Sequence, residues 1–168
     1  IAFKTNPVAY ATTADNQLHR FNPTSPQSNP VALVGLLTGE TIVGLDFRPA
    51  NGSLYAITNQ SRLLTVNTAN GQVTAVGATL TTALSGTSFG FDFNPTVDRI
   101  RLVSNTGQNL RLHPDLGTVA FVDGNLNPGT PSVSGAAYTN SFAGATTTTL
   151  FSLDSETNML YTQTPPND

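Results

Sequence analysis

The chain has 168 residues, 38% of them apolar and only 10% charged, with a net charge of −3. That length suits one domain with a real core, and the charge balance excludes an electrostatic footprint for nucleic acid or an anionic membrane surface. Cysteine is absent, which excludes disulfides, thiolate zinc sites and thiol catalysis, and no apolar run approaches the ~18 residues that a bilayer span requires.

From the N-terminal end, short β-branched and aromatic runs alternate with Gly, Pro and Asn, the pattern of strands and turns. The first three strands are predicted near residues 8–13, 17–22 and 31–36. The next four are predicted at 42–47, 53–58, 62–67 and 72–77, and four more at 89–93, 99–104, 109–113 and 118–122. Three others follow at 133–139, 147–153 and 159–164. No stretch shows capped helical periodicity, so no α-helix is expected.

The strands repeat. Gly44-Leu45-Asp46-Phe47-Arg48-Pro49 returns 46 residues later as Gly90-Phe91-Asp92-Phe93-Asn94-Pro95, and in degenerate form at Ala136-Ala137-Tyr138. Leu54-Tyr55-Ala56-Ile57 matches Ile100-Arg101-Leu102-Val103 and Leu150-Phe151-Ser152-Leu153. Leu64-Thr65-Val66-Asn67 matches Leu110-Arg111-Leu112-His113, and Leu160-Tyr161-Thr162-Gln163 closes the series. A period of this length with four strands per unit is how a propeller blade reads. The expected fold is therefore all-β: a single domain, an antiparallel propeller-like array of about four units, near 1–40, 41–86, 87–131 and 132–168. The last unit is expected to be incomplete, with Asn167-Asp168 placed where a turn leads to its final strand.

The block Gly90–Arg101, with Asn105-Thr106-Gly107-Gln108-Asn109-Leu110-Arg111, Ala136–Asn140 and Ala145–Leu150, resembles a bacterial family catalogued as domain of unknown function 4394. The resemblance implies an exported, propeller-like protein and brings no catalytic residues with it. Members of that family continue past the point where this chain ends, so ring closure within one chain is not implied. The chain begins at Ile1, with neither an initiator Met nor a signal peptide, and is expected to be a processed or excised segment. An extracellular or cell-surface location is the expectation.

Candidate chemistry is sparse. Gly86-Thr87-Ser88-Phe89-Gly90 matches the G-x-S-x-G nucleophile elbow, but that motif needs a helix after the serine, and here a strand follows. No catalytic residue and no cofactor are expected. Asp46 and Asp92 sit at equivalent repeat positions and are the candidate metal ligands. Calcium needs six to eight oxygens, whereas a repeated Asp at a strand corner more simply accepts backbone N–H groups. Arg99, Arg101 and Arg111 fall within one hairpin and could recognise an anionic ligand. Internal pairing with Asp92, Asp98 and Asp115 is the preferred reading.

The expected function is a non-catalytic extracellular structural or interaction module. Its partners would be copies of itself, joined through an assembly edge at Leu160, Tyr161, Thr162 and Gln163 that Ile1, Ala2 and Phe3 could complete. The alternatives are a carbohydrate-binding or adhesin-type module using the tyrosines, and a metal-dependent hydrolase or lactonase resting on Asp46 and Asp92. No nucleic-acid partner and no membrane span are expected.

Overall fold

The computed structural model describes residues 8–167, which form fourteen strands and no helix among them. Strands β1 (Ala9–Thr12), β2 (Gln17–Phe21) and β3 (Val31–Ala32) make the first sheet. The second contains β4 (Ile42–Phe47), β5 (Leu54–Thr58), β6 (Leu63–Val66) and β7 (Val73–Ala75). The third contains β8 (Phe89–Asn94), β9 (Arg99–Ser104), β10 (Asn109–His113) and β11 (Thr118–Val122). The fourth contains β12 (Val133–Tyr138), β13 (Leu150–Asp154) and β14 (Met159–Thr162). Every pairing within the sheets is antiparallel and joins strands adjacent in sequence.

The four sheets stack in chain order through their leading strands, β1 against β4, β4 against β8, and β8 against β12. The core lies in the spaces between them. Leu18 of the first sheet meets Leu54, Ala56, Leu64 and Val66 of the second. Tyr55, Ile57 and Leu63 of the second meet Phe91, Phe93, Ile100, Leu102, Leu110 and Leu112 of the third. Alternation along each strand makes this possible, since one face serves the preceding sheet and the other the following one. Central strands such as β5 are consequently buried on both faces.

Hairpin turns seat on the neighbouring sheet. Gly71 and Gly117 have φ of +73° and +62°, and a Cβ on either would lie within 2.1 Å or 1.7 Å of the carbonyl oxygens of Ala32 and Val76. Glycine is needed there on both counts. The connection to the fourth sheet, through Leu126 and Pro131, is proline-rich and leaves the third and fourth sheets less tightly filled; Val103, Leu126 and Val133 form their small apolar contact.

Candidate functional site

The joins between sheets are the most regular feature of the molecule. Gly44 and Gly90 let the leading strands approach closely, for a Cβ on Gly44 would lie 2.5 Å from the Cβ of Phe91, and one on Gly90 would lie 2.5 Å from the nitrogen of Ala136. Two residues on, Asp46 Oδ2 accepts the N–H of Phe93 at 2.8 Å, and Asp92 Oδ2 accepts that of Tyr138 at 2.7 Å. Each carboxyl group thus ties one sheet to the next. The aromatic residue following the N–H packs on the preceding sheet. Phe47 meets Tyr10 and Phe93 meets Tyr55, both edge-on with centroids 5.2 Å apart. Arg101 stands at the equivalent place in the third sheet, its Nε 3.4 Å from the Tyr138 hydroxyl.

Asp46 and Asp92 are therefore brought near enough for their carboxyl groups to influence each other. Burial raises both, and for Asp92 the charge of Asp46 adds to burial and pushes it up to about 8, from an ordinary 3.8. Burial and the neighbouring Asp46 charge therefore favour a protonated Asp92 near neutral pH. Each carboxyl already spends an oxygen on a backbone N–H, and among the described residues no group of three or more His, Cys, Asp or Glu side chains gathers. What the pair does in the fold is hold three sheets in register.

A pH dependence follows. Between about pH 4 and 8 the folded state keeps the Asp92 proton that the unfolded chain has lost, so stability falls as pH rises across that window, with a slope of at most ~1.4 kcal/mol per pH unit for one proton. Asp123 and Asp154 are held below their ordinary value, so they act oppositely and lose stability at the acid end. Asn at position 92 would keep an oxygen for the Tyr138 N–H without titrating. Chemical denaturation from pH 4 to 9 is expected to show the decline in the parent and a flatter profile in Asp92→Asn; parallel profiles would refute the raised Asp92.

The arginines are paired inside the protein, with partners other than the expected ones. Arg101 and Arg111 lie opposite each other on β9 and β10 and so share a face. Both bind Asp123: Arg101 Nη1 at 2.7 Å to Oδ2, Arg111 Nε at 2.8 Å to Oδ2 and Nη2 at 2.7 Å to Oδ1. Burial pushes the Asp123 carboxyl up, but the two guanidinium groups outweigh it and hold it low. Arg101 also donates to Asn109 Oδ1 and, at 2.9 Å, to Asn167 Oδ1. Arg111 lies 4.0 Å from the Phe121 ring centroid. Among the described residues, Arg99 makes one side-chain bond, of 2.9 Å to the carbonyl of Asp98.

The carboxylates expected to neutralise this hairpin are engaged elsewhere. Asp98 and Asp115 both pair with Arg48, across from the second sheet, and Asp92 serves Tyr138. Two further buried groups carry no sequence signal of their own. Glu40, almost fully buried, accepts from Leu37 N–H, Thr58 Oγ1 and Arg62 Nη1 at 2.6–2.8 Å. Asp154 accepts the N–H groups of Ser132, Glu156 and Thr157, which lower its pKa.

Ser88 stands just before β8, with its N–H bonded to Asn105 Oδ1 at 3.2 Å. His19 Nδ1 contacts Ser28 Oγ at 3.1 Å and His113 Nδ1 accepts from Asp115 N–H at 3.3 Å, so neither histidine has its ring nitrogen on Ser88. At the assembly edge, β14 is the outermost strand of its sheet, and Met159, Leu160 and Tyr161 are all exposed. Gln163 lies just past the strand, its N–H bonded to the Leu150 carbonyl. Ile1, Ala2 and Phe3 lie outside the described residues.

A family model described as domain of unknown function (DUF4394) matches residues 17–168. No curated protein matches the chain. Among solved structures, the chain is similar to PorZ, an essential bacterial surface component of the type-IX secretion system of the human oral-microbiomic Porphyromonas gingivalis. Identity is 14% and the TM-score 0.49, over 98% of this chain and 21% of that one. The chain thus spans about a fifth of the length of that protein.

Proposed function

The chain belongs to the DUF4394 family, and on that premise we propose that it is a non-catalytic, extracellular interaction module whose sheets are propeller blades and which associates with a second copy of itself. The observation that carries the reading is the flank of the fourth sheet that none of the described residues covers. Each earlier sheet lays its forward face on a neighbour. The corresponding face of the fourth carries Ala137, Phe151, Leu153 and Leu160, and Leu153 and Leu160 face each other across the β13–β14 pair at 46% and 64% exposure. Beside them runs the β14 edge, whose outer backbone groups are a template for another strand. A repeat whose internal joins are all face-to-face suggests the same kind of contact, head to tail, with a second molecule.

The titratable groups support a structural rather than a catalytic role. Asp46, Asp92, Asp123, Asp154 and Glu40 all spend their oxygens holding segments together, and among the described residues no histidine bonds Ser88 and a strand follows it. The test is sedimentation of the native protein beside a Leu153→Lys/Leu160→Lys double variant. Concentration-dependent association in the parent, lost in the variant with the fold intact by circular dichroism, is the expected result. A parent that stays monomeric at every concentration overturns the reading. Deleting residues 1–5 separates the two routes: loss of association in that truncation alone would mean that strand completion, not the Leu153–Leu160 face, drives assembly.

A further inference from the structure

We infer that the cleft between the connection that enters the fourth sheet and that sheet itself is a binding site for a neutral carbohydrate. It encloses about 550 Å³, within the range of small-molecule sites. One wall is the connection through Leu126, Pro128 and Pro131, and the other is the rear face of the fourth sheet, where Ser152, Tyr161 and Gln163 stand.

The repeat shows that this opening is particular to one join. In the third sheet, Leu102 faces Leu110 across the pair, Leu112 lies alongside, and all three are wholly buried against the second sheet. In the fourth sheet Ser152 faces Tyr161, and Gln163 follows it beside Leu150. Three leucines that fill one inter-sheet space are thus replaced by a hydroxyl, an aromatic ring and an amide, and these line the cleft beside the connection. Ser152 Oγ, although buried, donates to Gln163 Oε1 at 3.0 Å, and Gln163 Nε2 donates to the Pro166 carbonyl at 2.9 Å.

The lining chooses the ligand. Tyr161 is 46% exposed, and its ring offers an apolar face with a polar tip, the form that receives the C–H face of a pyranose. Beyond their bond to each other and that to Pro166, the Ser152 oxygen and the Gln163 amide keep an acceptor site and a second N–H for hydroxyl groups. No Lys, Arg or His lines the cleft, which disfavours sulfated or phosphorylated ligands. Asp154, also in the lining, has both carboxylate oxygens taken by backbone N–H groups; it fixes the connection against the β13–β14 turn and so keeps the two walls in place. The assembly face of the fourth sheet points the other way, and the two readings stand independently.

The experiment is a titration of isotope-labelled protein with cellotetraose and with maltotetraose, followed by amide chemical shifts, beside a sulfated disaccharide and a nonaproline peptide. At least one neutral tetrasaccharide is expected to move resonances around Ser152, Tyr161 and Gln163. Tyr161→Ala is expected to weaken binding at least tenfold. Ser152→Leu/Gln163→Leu, which restores the repeat's own leucines, is expected to abolish binding while keeping or raising Tm. No shift with either tetrasaccharide at millimolar concentration, binding elsewhere that both variants retain, or occupancy of the cleft by the proline peptide alone would each overturn the proposal.

Discussion

Phe93→Ala is expected to remove about 3–5 kcal/mol of unfolding free energy, the range for truncating a fully buried aromatic. Phe93 has no exposed surface, and its ring sits edge-on to Tyr55 and to Phe91, at 5.2 Å and 6.5 Å. Its loss opens a cavity in the largest cluster, lined by side chains from two sheets that are pinned through Asp46 and cannot easily close in. Phe47 holds the equivalent position one sheet earlier but is 37% exposed, so Phe47→Ala is expected to cost only about 1–2 kcal/mol on the area lost from contact. Urea denaturation of the two variants measures both. Equal losses would mean that the repeat positions share spacing without sharing a burial gradient.

Arg101→Ala is expected to cost a similar 3–5 kcal/mol, the range for breaking a buried ion pair from one side. Arg101 is 2% exposed and bonds Asp123, Asn109, Asn167 and Tyr138 at once. Its removal leaves Asp123 to Arg111 alone and strips partners from two amide oxygens. Adding Asp123→Asn should recover part of the loss, because the uncompensated charge goes with it. Arg99→Ala is expected to fall within about 0.5 kcal/mol of the parent. Stabilities of the single and double variants at low and high salt check this: a small Arg101 effect that disappears with salt would make the pair a surface one.

The spacing of the chain made the strands readable. Apolar runs at 53–58, 99–104 and 109–113 coincide with β5, β9 and β10 to within a residue, because a buried strand cannot hide its composition. The weaker strands are where reading and structure part. The expected strand at 31–36 contracts to Val31–Ala32, and that at 72–77 to Val73–Ala75, since an outer strand needs little apolar content to stay paired. The closing series also slips. Ile57 faces Leu63 and Val103 faces Asn109, six positions apart, but Leu153 faces Leu160, seven apart. One extra residue in that hairpin puts Tyr161, not Leu160, in the place of Leu110, and a slip of one exchanges the faces of a strand.

The candidate site was readable in part. Asp46 and Asp92 were identified by their repeat position, and both reach the next sheet, a contact that a single unit's sequence cannot express. The partners of Arg48 lie 50 and 67 residues away, and no local pattern links them. Glu40 is buried alone in a polar loop, where nothing nearby in the chain marks it.

The carboxyl joins have a consequence for how the array could be extended. Asp46 reaches from the second sheet to a donor on the third, and Asp92 reaches from the third to a donor on the fourth. The residue in their place on the fourth sheet is Ala137, whose side chain has no oxygen to offer. The stack therefore has a polarity, giving on one side and receiving on the other, and the giving stops there. Within the chain, separation and register are set together, by a glycine and a carboxyl on the same face. A body laid on the Ala137 side meets a surface that sets how near it comes but leaves it free to slide.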